Sequence, residues 1–271
     1  MQMKSFTMMR IALMAAGVIA GVTSCSKDGG DDTAAKEKKL VKLAYNGAEM
    51  TFKYDAQGHL TEAIDTYKLN GHDASETSTY VWGENTIDIT FTSKSVESGE
   101  EKIYQETATL NLENGLAKDI SGGLMILGNN KFSYDSSGHL TGFSGFVSDL
   151  TLEWNGDKLM SMRDDLIMVG SRSVQTYTYS TDTVTKGYNP LISMEVSTNH
   201  LFLAHPELSG IKTGQLPDVR VNEGVLALSP YTWTYYYTYE FDKDGYVTKI
   251  TATGDIDGEE ASPTVYTLVW E

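Results

Sequence analysis

Tyr231, Trp233, Tyr235, Tyr237 and Tyr239 alternate with Thr232, Thr234, Tyr236, Thr238 and Glu240, and Phe241 continues the series. Alternate side chains of an extended strand share one face, so the spacing predicts six rings on one side of a single strand. If that face is wet, it is a platform for stacking sugar rings or another flat ligand; if dry, it is the inner face of a central strand. Exposure separates the two readings.

Other chemistry-bearing residues are sparser. His59 and His139 each follow a glycine, and Tyr246 holds the matching place in a third phrase, which reads as turn histidines rather than ligands. His200 and His205 are five apart, whereas neighbours on a helix face come at three or four, so they make a poor metal pair. Asp255, Asp257, Glu259 and Glu260 cluster, but the spacing and the missing distant glutamate fit a hairpin turn better than a calcium loop. There is no GxSxG elbow, no HExxH and no phosphate loop, and Cys25 is the single cysteine. No catalytic residue, metal or cofactor is expected. The chain is read as a non-enzyme, although the paired carboxylates of a glycosidase would need no local motif.

The elements that must carry these residues are strands. FKYDAQGHLT (Phe52 to Thr61) returns as FSYDSSGHLT (Phe132 to Thr141) and more loosely as YEFDKDGYVT (Tyr239 to Thr248). Aromatics two apart share a strand face, Asp opens a turn, Gly supplies positive φ, and Leu or Val resumes the sheet. A second phrase follows each copy and ends in Trp82, Trp154 or Trp270, at 27, 19 and 28 residues beyond the turn aspartate. Irregular spacing argues against a solenoid and for hairpins of varied length in one continuous sheet. Asn-Gly or Asp-Gly pairs at 46–47, 70–71, 114–115, 155–156, 244–245 and 257–258 mark the turns. The expected fold class is mainly β, a long antiparallel meander of hairpins, curved or barrel-like.

One stretch breaks the pattern. In Asn189 to Gly210, Asn189 can cap, Pro190 suits a first helical position, and Leu191, Met194, Leu201, Phe202 and His205 fall near one face before Pro206. This predicts one short helix covering an opening or a face of the sheet, with strands resuming near Val225.

The chain has 271 residues and a net charge of −16. Lys4 and Arg10 precede an apolar run from Ile11 to Val22, about a dozen residues where a membrane span needs about 20. Residues 1–24 are therefore expected to be a secretory signal peptide, 25–39 a flexible acidic tether and 40–271 a single β domain. Without the leader, 19 basic residues face 37 acidic ones, a net charge of −18, which disfavours nucleic acid as a partner.

Val22-Thr23-Ser24-Cys25 resembles the lipobox of bacterial lipoproteins, and Ser26 to Asp32 is similar to the acidic export signal of Bacteroidetes surface lipoproteins. Together with the YD phrases, the chain resembles uncharacterised Bacteroidetes lipoproteins with YD-type repeats and a porin-like β fold. The resemblance implies a lipid on Cys25 as the membrane contact and an outer-membrane location facing the cell exterior. It brings no catalytic residues. The expected function is a non-catalytic binding or accessory lipoprotein for a glycan, host polymer or protein ligand, with Tyr231, Trp233, Tyr235, Tyr237 and Tyr239 as the ligand platform. The alternative is an envelope structural protein or lipid carrier with a hydrophobic interior.

Overall fold

Asparagine–glycine pairs fold the chain back on itself repeatedly. Asn46, Asn70 and Asn114 all take positive φ (46°, 52° and 55°), as do the glycines after them, the backbone of a two-residue turn whose twist matches the strands it joins. A computed structural model describes residues 37–97, 99–123, 130–145, 148–166, 171–196, 200–211, 213–226, 229–256 and 258–271. Cys25, the leader, most of the tether and Asp257 lie outside them.

The strands are β1 (Leu40–Tyr45), β2 (Ala48–Tyr54), β3 (Leu60–Leu69), β4 (His72–Trp82), β5 (Thr86–Glu97), β6 (Glu100–Glu113), β7 (Leu116–Gly122) and β8 (Asn130–Tyr134). The second half adds β9 (Leu140–Ser144), β10 (Ser148–Asn155), β11 (Lys158–Leu166), β12 (Ser171–Thr178), β13 (Val219–Leu226), β14 (Ser229–Phe241), β15 (Val247–Ile256) and β16 (Glu259–Trp270). Each strand pairs antiparallel with its sequence neighbours, and β1 pairs with β16, with Leu43 opposite Leu268, so these sixteen strands form a closed barrel. Closure removes the two unpaired edges that an open meander would present. The expected mainly β meander is thus observed, closed rather than merely curved.

The helical segment differs in detail from its expectation. It forms two short helices, α1 (Pro190–Val196) and α2 (His200–Ala204), then a 3-10 turn at Pro206–Ser209, rather than one helix. Strand pairing also resumes earlier than expected, at Val219 rather than near Val225. The buried parts of the connection between β12 and β13, chiefly residues 189–193 and 200–211, plug one end of the barrel. Leu191, Leu201, Phe202, Leu203 and Leu208 are buried there, joined to the strand core of Leu40, Leu43, Phe52, Leu60, Ile87, Ile89, Leu110 and Ile250, while Ile192 packs with Leu140, Leu152, Leu159 and Met162.

Many outward positions of the same strands are polar, with exposed apolar residues such as Val81, Ile103, Tyr236 and Val269 scattered among them. Thr77, Thr79, Thr90, Thr92, Thr107 and Thr109 lie in register on β4 to β6, as Thr77 opposite Thr92, and Thr79 opposite Thr90 opposite Thr107. Ion pairs join neighbouring strands on this face, among them Lys53–Glu62 (2.5 Å), Arg172–Asp165 (2.5 Å) and Lys249–Glu240 (2.6 Å). A lipid-facing barrel instead carries an apolar outward band about 25 Å tall.

Candidate functional site

The three recurring turn phrases, opened by Asp55, Asp135 and Asp242, build the floor on which the plug rests. In the first, Asp55 Oδ1 accepts hydrogen bonds from the backbone N–H groups of Gln57 (2.9 Å) and His59 (2.8 Å), and Gly58 N–H donates to the Asp55 carbonyl (3.0 Å). The same pattern recurs at Asp135 with Ser137, His139 and Gly138, and at Asp242 with Asp244, Tyr246 and Gly245. The following phrase is equally regular. The indole N–H of Trp82, Trp154 and Trp270 donates to the carbonyl of Leu60, Leu140 and Val247 at 2.7, 2.7 and 2.6 Å. Each indole also packs on the turn residue: His59 (4.4 Å between centroids), His139 (4.9 Å) or Tyr246 (5.3 Å).

Each unit then receives one part of the plug. At the first, Leu60 N–H donates to His205 Nε2 (3.2 Å), whose ring meets Trp82 edge-on. At the second, Phe202 meets Phe132 edge-on, and Gly210 lies over the turn so closely that a Cβ there would sit 2.3 Å from the Gly138 carbonyl oxygen. At the third, Val247 N–H donates to Thr185 Oγ1 (3.0 Å), and Tyr188 meets Trp270 edge-on. His205 and the turn histidines therefore have structural partners. His205 Nδ1 faces Glu207 Oε1 at 2.8 Å. Burial opposes charge on Glu207, yet the hydrogen bond from His205 helps hold its carboxyl below the ordinary range.

Beyond the plug, strand register arranges the interior of β11 to β14 in three rows. Nearest the rim, Asp164, Ser173, Gly224 and Tyr231 lie side by side; next come Met162, Gln175, Asn222 and Trp233; then Tyr177, Arg220 and Tyr235. Gly224 makes room for the first row, since a Cβ on it would fall 2.6 Å from the Tyr231 hydroxyl oxygen, so that ring lies down across β13. Tyr231 and Trp233 are 4.8 Å apart at 36°. Ser173 and Asn222 reach the Tyr231 hydroxyl, while burial holds its pKa above the ordinary value. The Arg220 guanidinium lies 4.4 Å over the Tyr235 ring and donates to Gln175 Oε1 (3.3 Å).

The aromatic series thus divides into three parts. Tyr231, Trp233 and Tyr235 are partly buried on this wall. Tyr237 is 6% exposed, and Tyr239, whose hydroxyl donates to the Pro217 carbonyl (2.6 Å), joins the plug core, where burial pushes its pKa far up. Phe241, at the end of β14 where the register shifts against β15, is 40% exposed.

Half the circumference away, the wall of β3 to β6 is acidic. Asp65, Glu76, Ser93 and Tyr104 form one row, and Ala63, Ser78, Phe91 and Glu106 the next. Asp65 and Glu106 are 5% and 9% exposed. Tyr67 donates to Glu76 (3.0 Å) and Tyr104 to Glu106 (2.7 Å), which pushes the Tyr104 pKa up to about 12. These rows were not foreseen; acids alternating with Ser, Thr and Tyr read as an outer face until closure puts them inside. A hollow of about 400 Å³ lies at the rim of these strands, but it is lined by charges such as Lys68 and Asp73, paired at 2.6 Å, rather than by assembled rings. No group of three or more metal-binding side chains occurs among the described residues.

No family model and no curated protein matches the chain. Among solved structures, it is similar to a porin-like protein from Bacteroides uniformis, with a TM-score of 0.57 and 16% identity over 86% of this chain and 98% of that one. The fold is porin-like. A second porin-like protein, from Bacteroides vulgatus, aligns at a TM-score of 0.40 and 10% identity over 87% of this chain and 99% of that one. At such identities the likeness concerns the fold, and function must be argued from the porin-like barrel's own site.

Proposed function

We propose that this porin-like barrel is a lipid-anchored outer-membrane lipoprotein, facing the cell exterior, that binds a glycan or related polymer without transforming it. The observation that carries the reading is the interior wall of Tyr231, Trp233 and Tyr235, partly buried rings that keep some accessible surface and are flanked by amide and guanidinium groups. Accessible rings with a few convergent polar groups are the ordinary make-up of a ligand site. The polar outer face and the plug argue against a membrane-spanning pore, so a separate anchor is needed, and Cys25 is the residue for it. A lipid carrier is disfavoured by Asp65, Glu76 and Glu106 inside the barrel, because a buried charge beside acyl chain is costly.

Placement supports the reading. Lys39 and Glu271 exchange backbone hydrogen bonds (2.6 and 3.0 Å) at the plugged end, so a tether running back from Leu40 leaves there. The aromatic wall lies toward the opposite end of the barrel.

The test is tryptophan fluorescence of the purified chain across a panel of neutral and acidic oligosaccharides, beside radiolabelled palmitate incorporation in cells. Saturable change with at least one glycan and label lost in Cys25→Ala are expected. A flat response across the panel overturns binding, and label retained in Cys25→Ala overturns the anchor.

A further inference from the structure

Resting on that reading, we infer that Tyr231, Trp233 and Asn222 form a subsite for one neutral, hydroxyl-rich sugar ring. The ring pair supplies the platform. Because Gly224 lets Tyr231 lie flat, its face rather than its edge is presented to the interior, and Trp233 continues that face at 36°. Two tilted rings on one wall offer a ledge of the kind that takes the C–H face of a pyranose, whereas a quaternary ammonium is held best by rings that face one another.

Asn222 supplies the second observation. It is 7% exposed, between Gln175 and Trp233 in the same row, and its Oδ1 has no hydrogen-bond donor among the described residues. Buried polar atoms are ordinarily paired, because leaving one unpaired costs the desolvation of that group. A lone acceptor beside a ring ledge calls for a ligand that brings the donor, and a sugar hydroxyl does so. Beside it, Asp164 and Ser173 in the rim row add acceptor capacity at the same wall.

Charge decides the class of sugar. The facing wall carries Asp65, Glu76 and Glu106, and the chain as a whole is −16. Arg220 is the cation of the aromatic wall, but its guanidinium is committed to the Tyr235 ring and to Gln175. A uronic or sulfated polymer would meet repulsion from both directions with no cation held for it. A neutral hexose or N-acetylhexosamine unit meets none.

The experiment titrates the full chain with neutral oligosaccharides, acidic oligosaccharides and choline, following tryptophan emission and, independently, heat by calorimetry. It then repeats the titration with Asn222→Leu, Trp233→Ala and Gly224→Ala, with Trp82→Phe as an emission control remote from the site. Unchanged far-UV circular dichroism qualifies each variant, and Trp233→Phe, which keeps a ring, replaces Trp233→Ala if the latter does not fold. Saturable binding of a neutral sugar is expected, weakened about tenfold or more by Asn222→Leu and by Trp233→Ala, with partial retention in Trp233→Phe. Neutral sugar bound equally well by all variants overturns the subsite while leaving a glycan-binding protein standing. Binding confined to acidic sugars, or to choline, overturns the ligand class. No binding by either method overturns the subsite together with the reading beneath it.

Discussion

Asp242 does more than open a turn. Its Oδ1 accepts the backbone N–H groups of Asp244 and Tyr246, and its Oδ2 receives the Lys38 ammonium at 2.6 Å. The Lys38 hydrogen bond is the main reason the carboxyl is lowered to about 2, and Asp55 and Asp135 are lowered as well. A carboxylate whose pKa is depressed by folding stabilises the native state fully above its unfolded value, near 4, and loses that contribution as the pH falls through the folded value. Urea unfolding midpoints are therefore expected to drop between about pH 4 and pH 2. Asp242→Asn should be less stable than the parent at pH 7 and should show a shallower drop over that window. A parallel pair of pH profiles would contradict the assignment. Residue types at this scale were legible: aspartate, glycine and an aliphatic residue recur because the turn needs an acceptor, a positive φ and a strand start. That the histidine of the same phrase stacks on a tryptophan many residues later was not, since the pairing depends on β3 and β4 lying side by side.

Among the elements, the plug depends on the least permissive contact it makes. Gly210 has φ of +71°, a region L-residues disfavour, and a methyl group there would also overlap the Gly138 carbonyl. Gly210→Ala is expected to cost at least about 1 kcal/mol from backbone strain, with the overlap added. The cost should show as early protease cleavage within residues 179–218, while barrel circular dichroism persists. Cleavage no faster than in the parent would mean that the plug has another way to seat. The hairpins could be read from the sequence because their information is local, in Asn-Gly pairs and alternation. The plug could be read only as a departure from alternation. Its apolar residues Leu191, Leu201 and Phe202 declare a buried segment, but its destination inside the barrel is set by turns as far away as Leu60 and Val247, which no local pattern encodes. The ligand wall was half legible for the same reason. The ring series on β14 declares itself, whereas Asn222, Gly224 and Gln175 acquire meaning only through cross-strand register.

For the whole molecule, the seam between β1 and β16 matters most. Every other pairing joins strands adjacent in sequence, so hairpins can form as soon as their two strands exist. The seam alone joins residues from opposite ends, such as Leu43 with Leu268 and Tyr45 with Tyr266, whose rings stack at 5.4 Å. Deleting residues 259–271 would leave one edge of β1 and one edge of β15 unpaired, and such a chain is expected to elute as dimers or larger species, because exposed edges pair with one another. Monomeric behaviour would show that the seam is dispensable. The seam also sets an order of events. A nascent chain emerging N-terminus first can build fifteen strands and still be an open ribbon, and the cost of bringing distant ends together falls on the last step. Until the final strand arrives, the cell holds a sheet with two sticky margins. The period of greatest risk for this protein is thus the interval between making its first strand and its last, in which a holding chaperone would have most to protect.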